Sequence, residues 1–311
     1  MKFRTVFFLV SCFGLLVPCK SSSANGYRAL IGCGDGFLAA GSGGRMDWIS
    51  VSGDLTQSLK PTEANLNALL SYKQTLYAAG DSGTLLISTD NHHFRKVEIG
   101  TGSAIHCLTR FNNQIVAGSD NGLLLVGDEL GVFNRVELAL EGNIVSLSAN
   151  ETACYGVTDK GEILHSTDGI HWVLFDFNSY YAGYYKSCQF TCVFADKNQI
   201  SAAGRCLDGS PILMVSSQGT VWSERSLNFT DEQGVRSSLT EIPSSICLDE
   251  AGDQLLLACG KGQVMSIPSC SHCNKLWTIS TEDLSGISKN GTTWLIVGAD
   301  FQRHVLESGW E

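Results

Sequence analysis

A short pattern of apolar and polar positions recurs along the chain. Its clearest copy spans residues 76–94, where two apolar runs flank a Gly-rich turn and a polar turn then leads to Phe94. Apolar runs of this length between Gly and Asp turns are typical of short β-strands joined as hairpins. Because a lone hairpin is only marginally stable in water, we expect the unit to stack against copies of itself.

The copies follow one another at a nearly constant interval. Residues 29–41 align without a gap on residues 68–80, 39 positions later, and a third copy ends at Gly118. Two later intervals are longer because the fifth and sixth copies contain insertions. A period near 40 with about four short strands predicts an all-β fold, a seven-bladed β-propeller of four-stranded antiparallel blades. We place the blades in one domain, residues 25–311, starting near residues 27, 65, 104, 143, 186, 244 and 283.

Within each repeat the order of strands predicts their place in a blade. The first strand, such as residues 66–72 or 144–149, should line the central channel. The chain ends soon after the third strand of blade seven. We therefore expect that blade to lack an outer strand, which residues following Ala24 would partly supply.

The turn between the third and fourth strands carries the most specific motif. Residues 166–172 read STDGIHW, and residues 88–94 and 216–222 are weaker versions. These turns resemble the Asp-box (BNR) repeat, in which the Asp carboxylate accepts backbone N–H bonds, the Gly permits a left-handed turn and the aromatic ring packs beneath. The positions that carry the resemblance are Ser88, Asp90, Phe94, Ser166, Asp168, Gly169, Trp172, Ser216, Gly219 and Trp222.

Asp boxes distributed over seven blades resemble the exported propellers related to photosystem II stability and assembly factors. The resemblance covers residues 27–311 and implies a non-enzymatic scaffold or assembly factor that binds a protein or glycan. The basic patch of the photosynthetic members is not transferred, because the corresponding arginines are scattered over blades one to three: Arg45, Arg95, Arg110 and Arg135.

Asp boxes also occur in sialidases, so an enzyme is the alternative. Those enzymes share an arginine triad and an Arg-Ile-Pro stretch, whereas Arg28 and Arg45 are followed here by Ala-Leu and Met-Asp. We assign no catalytic residue and no cofactor. A hydrolase or lyase of glycosidase type remains the second hypothesis, and it would use carboxylates at the mouth of the propeller channel.

The first residues predict export. Lys2 and Arg4 precede a short apolar run, and small residues up to Ala24 suit cleavage by a signal peptidase, so residues 1–24 are interpreted as a signal peptide. The protein would be periplasmic, secreted or at the cell surface. Lipidation at Cys19 is the competing interpretation, although Pro18 departs from the usual small residue at that position.

Charge narrows the possible partners. Loss of residues 1–24 removes three of the 21 Lys and Arg residues and none of the 31 acids, which leaves a net charge of −13. Nucleic acid is therefore not expected as a partner. No later apolar run approaches twenty residues, so no transmembrane segment is expected in the mature chain. The sequons at Asn150, Asn228 and Asn290 matter only in a source that glycosylates.

Ten cysteines remain after removal of the leader, which favours disulfides in an exported chain. Cys270 and Cys273, in a CxxC, form the first predicted bond. A zinc site completed by Cys188 and Cys192, a redox couple and free thiols are the alternatives, and no metal is assigned. Cys192 and Cys206 flank a hairpin turn and form the second predicted bond.

An insertion at residues 178–190 concentrates aromatic side chains between blades four and five. We predict a binding surface made of Tyr180, Tyr181, Tyr184 and Tyr185, since tyrosines provide rigid amphipathic contact area. The alternative is that these rings cover the enlarged blade five. A second insertion, residues 230–243, is polar and is predicted to form a loop on a propeller face.

Overall fold

The computed structural model describes residues 25–249, 253–269 and 274–307. Within them the chain folds into seven antiparallel sheets whose first strands contact one another in a closed ring. The predicted all-β, seven-bladed propeller is confirmed. The proposed signal peptide and the Cys270–Cys273 pair lie outside the described residues. No helix in the described part is long and apolar enough to cross a membrane.

The strands follow the chain from the channel to the rim of each blade. Blades one to three comprise β1 (Tyr27–Cys33), β2 (Gly36–Gly41), β3 (Met46–Ser50), β4 (Leu55–Leu59); β5 (Leu66–Tyr72), β6 (Thr75–Gly80), β7 (Thr84–Ser88), β8 (Arg95–Lys96); and β9 (Ile105–Phe111), β10 (Gln114–Ser119), β11 (Leu123–Gly127), β12 (Phe133–Glu137). Blade four comprises β13 (Ile144–Ala149), β14 (Cys154–Thr158), β15 (Glu162–Ser166), β16 (Val173–Asp176). A single-turn helix, α1 (Phe177–Tyr180), follows blade four.

Blade five comprises β17 (Cys188–Ala195), β18 (Ile200–Cys206), β19 (Pro211–Ser216), β20 (Ser223–Glu224). The second insertion forms a hairpin of β21 (Asn228–Thr230) and β22 (Arg236–Ser238). Where we predicted a loop on a propeller face, the structure therefore has a hairpin, which lies against the outer strand of blade six, with Phe229 bridging Asn274. Blades six and seven comprise β23 (Pro243–Asp249), β24 (Gln254–Cys259), β25 (Gln263–Pro268), β26 (Lys275–Thr278); and β27 (Leu284–Asn290), β28 (Thr293–Gly298), β29 (Arg303–Glu307).

The core lies between blades rather than within one. The middle strands are buried almost throughout, as in β6 and β7, because a neighbouring blade covers each of their faces. Between blades two and three, for example, Tyr77 and Leu85 pack with Ile105 and Leu125. Burial on both faces explains why these strands read as continuous apolar runs instead of alternating apolar and polar residues.

Every first strand contains a β-bulge near its start, directly after its first residue in six blades and after its third residue, Phe190, in blade five. A bulge inserts one unpaired residue and turns its side chain out of the regular ladder. The seven bulge residues are Arg28, Asn67, His106, Val145, Thr191, Ser244 and Ser285.

Four bulge residues donate a hydrogen bond to the carbonyl of the first residue in the next blade. The four bonds are Asn67 Nδ2 to Ile105 O (3.1 Å), Thr191 Oγ1 to Pro243 O (2.6 Å), Ser244 Oγ to Leu284 O (2.7 Å) and Ser285 Oγ to Tyr27 O (2.6 Å). The last of these joins blade seven to blade one and is one of the bonds that close the ring, together with that from Asn290 Nδ2 to Gly34 O (3.0 Å).

Blade seven has three strands in the part of the chain that the structure describes. The residues after Ala24 do not add an outer strand to it. Instead Gly26 pairs with Ala299, and the Asp300 amide donates to Asn25 O (3.2 Å), both at the turn between β28 and β29. Our expectation that these residues supply the outer strand is wrong.

Glycines in equivalent turns bring the backbones of successive segments together. Gly83, Gly122 and Gly161 follow the second strands of blades two to four and all have positive φ, of 65°, 69° and 87°. A Cβ atom at Gly83 would lie 2.0 Å from the carbonyl oxygen of Thr101, so the site excludes any larger residue.

We expect Gly83→Ala to destabilise the protein by more than about 2 kcal/mol, because the strain of a left-handed alanine, about 1–2 kcal/mol, adds to the clash with Thr101. Gly100→Ala is the matched control, since Gly100 has nearly the same φ, 68°, and nothing within 4 Å of its would-be Cβ. Urea unfolding would compare the two variants. Equal losses would show that the close approach contributes nothing.

We expect Ser285→Ala to lower the free energy of unfolding by about 1–3 kcal/mol, since it leaves the Tyr27 carbonyl without its donor where the ring closes. Ser245→Ala, which alters a neighbouring channel residue, should cost less than about 0.5 kcal/mol. Denaturant titration followed by tryptophan fluorescence measures both. An Ser285→Ala variant as stable as the wild type would contradict the role of this bond.

Candidate functional site

The propeller has two faces that differ in the connections they carry. We define the upper face as the one with the turns between second and third strands and the connections between blades. The lower face carries the turns of the first hairpins and those between third and fourth strands. Both insertions leave their blades by upper-face connections, at residues 177–187 and 225–242.

The central channel is a cavity of about 430 Å³ lined by all seven first strands. Its upper mouth is polar because the bulge residues lie there. Arg28, Asn67 and His106 line it on the side of blades one to three, whereas Thr191, Ser244 and Ser285 line it on the other side.

Hydrogen bonds link the polar side chains at the mouth. Arg28 Nη1 donates to Asn67 Oδ1 (3.0 Å), and Asn67 Nδ2 donates to Asp81 Oδ1 (2.8 Å). In the next blade His106 Nε2 lies 2.6 Å from Asp120 Oδ1. These carboxylates are the groups on which a hydrolase would depend, and the structure shows each bound to the bulge residue of its own blade. The sequence signal that we overlooked is an Asp-x-Gly at residues 81, 120 and 159.

The four predicted binding tyrosines divide into two pairs with different environments. Tyr181 and Tyr185 are half-buried and pack on Phe177, with ring centroids at 4.8 Å and 5.9 Å. The Tyr181 hydroxyl also accepts from the Trp222 amide at 2.9 Å, which ties the insertion to blade five. This pair therefore covers blade five, as the alternative interpretation had it.

The other pair faces solvent. Tyr180 is 67% exposed and Tyr184 is 85% exposed. The Tyr180 ring rests against Tyr181, with centroids 5.0 Å apart. The exposed Tyr180 ring is thus supported by a side chain that the fold holds in place.

Blade five extends further on the upper face than the other blades do. In the other blades the pairing of the first two strands ends there at a pair such as Leu66 and Gly80. The equivalent pair in blade five is Phe190 and Gly204, and the pairing continues for two more residues, to Cys188 and Cys206. The tip ends in Leu207, which is 72% exposed and whose amide donates to Ser187 O (2.9 Å). We call Tyr180, Tyr184 and Leu207 the tyrosine surface.

The motif turns lie on the lower face. Asp168 Oδ1 accepts from the amides of Ile170 (2.8 Å) and His171 (2.7 Å), and Asp90 Oδ1 accepts from His92 (2.9 Å) and His93 (2.8 Å).

The side-chain bond from His171 and the amide bonds hold the pKa of Asp168 well below its usual range, and the His93 bonds do the same for Asp90.

The remaining motif positions surround these carboxylates. In the turn without an Asp, Ser216 Oγ accepts from the Gly219 amide at 2.8 Å, as Ser166 Oγ does from Gly169. Ser88 donates to Asp90 at 3.1 Å. The aromatic residues Phe94, Trp172 and Trp222 pack against the core clusters above them. Through these contacts the motif stabilises the hairpin turns of the lower face.

The register of blade five corrects the predicted bond between Cys192 and Cys206. Cys206 lies opposite Cys188, whereas Cys192 lies opposite Ala203. Cys192 packs towards blade six and Cys206 towards blade four, so the two thiols are on opposite faces of the sheet. The ladder runs without interruption from the pair Ala195–Ile200 to Cys192, so counting from the turn already separates Cys192 from Cys206. The bulge at Thr191 then sets Cys206 opposite Cys188. Among the described residues no three His, Cys, Asp or Glu side chains cluster as metal ligands.

Comparison with known proteins supports the fold alone. No family model matches the chain, and no curated protein is similar to it. Among solved structures it is similar to the computationally designed Ika8 protein, with a TM-score of 0.62 and 14% sequence identity over 90% of this chain and 83% of that one.

We expect Asp168→Ala to increase amide exchange at Ile170 and His171 roughly tenfold while leaving the turn of blade two unchanged, because its hydrogen bonds are local. Asp90→Ala is the reciprocal control and should affect His92 and His93 alone. Hydrogen exchange resolved by NMR measures both. Loss of protection throughout the molecule in either variant would contradict a local role.

Proposed function

We propose that this protein is a non-enzymatic, exported propeller that binds a protein partner through the tyrosine surface. The observation that carries the proposal is the pair of exposed rings, Tyr180 and Tyr184, in an insertion that the half-buried Tyr181 and Tyr185 fix to the core. Tyrosines held in this way lose little conformational entropy on binding and offer both apolar and hydrogen-bonding contact.

Leu207 extends the surface towards blade five and adds an exposed apolar side chain. The neighbouring Lys186 is paired with Asp208, so the surface around it has little uncompensated local charge. The chain as a whole is acidic, with a net charge of −10, which favours partners with basic or neutral surfaces. A protein segment with apolar side chains suits this chemistry better than a polyanion does.

Export and a relation to the Asp-box propellers of the assembly-factor type are part of this proposal. The leader pattern at residues 1–24 supports export. The carboxylate-capped turns at Asp90 and Asp168 support the relation. An assembly factor is a binding protein without a reaction of its own, which agrees with a structure whose exposed aromatic side chains lie away from the channel carboxylates.

The hydrolase alternative would place the reaction at the channel mouth, where Arg28, His106, Asp81 and Asp120 gather. Glycoside hydrolysis requires two carboxyl groups that face one sugar. In this structure each carboxylate is instead occupied by a side chain of its own blade. A glycan bound at the tyrosine surface without turnover would be a third outcome, and it would keep the binding function while changing the partner.

We expect the double variant Tyr180→Ala/Tyr184→Ala to lose at least tenfold in affinity for its partner, because aromatic anchors dominate protein interfaces. The assay is affinity capture from the native envelope with the wild type and both variants, followed by titration of the enriched protein. Leu130→Ala is the matched control, since Leu130 is equally exposed but lies on the lower face.

A partner that binds the double variant as tightly as the wild type would overturn the proposal that it binds through the tyrosine surface. Turnover of a glycan or peptide that Asp81→Asn abolishes would instead favour the hydrolase.

A further inference from the structure

The raised tip of blade five holds two cysteines directly opposite each other. Cys188 opens β17 and Cys206 ends β18, and the two are partners in the antiparallel register. Their Sγ atoms are 3.9 Å apart. Both side chains are buried in the cluster between blades four and five, at 1% and 7% exposure, and they lie on the same face of the sheet.

The hydrogen-bonding pattern shows which kind of cross-strand pair they form. The Leu207 amide donates to Ser187 O (2.9 Å), a bond between the residues that flank the pair. The Cys188 amide donates to Asn178 Oδ1 (2.7 Å), and the Cys206 amide donates to Ser210 O (2.8 Å), so neither bonds the opposite cysteine. This is a non-hydrogen-bonded pair, in which Cα atoms lie about 4.5 Å apart.

That spacing falls within the range of about 4.4–6.8 Å that a disulfide requires. We propose that Cys188 and Cys206 form a disulfide that closes the raised tip of blade five. The bond needs rotation of the two side chains and no change of register, because the strands already bring the cysteines face to face.

The bond forms by exchange with the disulfide of a thiol–disulfide oxidoreductase in an oxidising compartment. One cysteine sulfur attacks that disulfide and makes a mixed disulfide, and the second cysteine sulfur then displaces the enzyme. The two cysteines lose two electrons, the enzyme's disulfide gains them, and the two protons end on its thiols. Burial, reinforced by the neighbouring Cys206, raises the pKa of Cys188 to about 12. Because both side chains are buried in the folded protein, the oxidoreductase reaches them only when the tip is open.

The proposal rests on export, which supplies the oxidant, and not on a binding partner. Its structural consequence is confined to the tip. A covalent bond at the base of the tip fixes the turn at residues 207–210 and holds Leu207 next to Ser187, where the tyrosine-rich insertion ends. The bond closes a loop between residues 18 positions apart.

The test uses the full-length chain, reduced and unfolded and then refolded in a mixture of reduced and oxidised glutathione. Free thiols are alkylated, and the protein is digested without reduction. We expect tryptic peptides 187–197 and 206–225 to appear as one cross-linked species. Cys192 shares the first peptide with Cys188, so the variants Cys192→Ser and Cys188→Ser separate them. The cross-link should persist in the first variant and vanish in the second.

Urea unfolding with and without dithiothreitol provides an independent measurement. Reduction should lower the folding equilibrium constant of wild type and Cys192→Ser roughly tenfold to hundredfold more than that of Cys188→Ser. Alkylation of Cys188 and Cys206 in the refolded wild type, or a cross-link that persists in Cys188→Ser, would overturn the proposal. If Cys188→Ser does not fold, chymotryptic cleavage of the wild type after Phe190 separates the two candidate cysteines and decides the pairing directly.

Discussion

The hydrogen bonds from bulge residues to the next blade are the constraint on which the architecture depends. Among the described residues the sheets of adjacent blades are not joined in one continuous ladder. Packing and side-chain hydrogen bonds therefore hold the ring, and these bonds act at its narrowest circumference. Thr191, Ser244 and Ser285 make the same bond in three successive steps, and the third reaches Tyr27 at the other end of the chain. Closure thus needs no exchanged strand, although blade seven has three strands in the described part.

The same bulge shapes the sites as well as the ring. It turns one side chain per blade towards the upper mouth, which makes the mouth polar and places Asn67 and His106 next to the turn residues Asp81 and Asp120. In blade five it shifts the strand register by one residue, and that shift places Cys188, rather than its neighbour Gln189, opposite Cys206. One local irregularity therefore determines closure, the chemistry of the mouth and the pairing of cysteines.

The sequence predicts the fold well because seven similar repeats report the same structure, and Gly83 and Asp168 indicate turns whose geometry few other residues allow. It predicts the sites less well. A bulge has no residue signature, since Arg28, Val145 and Ser285 all occupy it. Composition located the tyrosine cluster, but which ring faces solvent depends on contacts such as that of Tyr181 with Trp222, 41 positions away.

The placement of the insertions follows from the same constraints. An insertion is tolerated where it leaves the first strands and their bulges undisturbed. The connections that lead from the outer strand of one blade to the next blade meet this condition. The lower face is less permissive, because its turns pack against the preceding blade. A Cβ at Gly169 would lie 2.8 Å from Gln114 Oε1, and one at Gly219 would lie 2.5 Å from the Tyr155 ring. The two insertions therefore lie on the upper face on either side of blade five, and the first of them carries the exposed tyrosines.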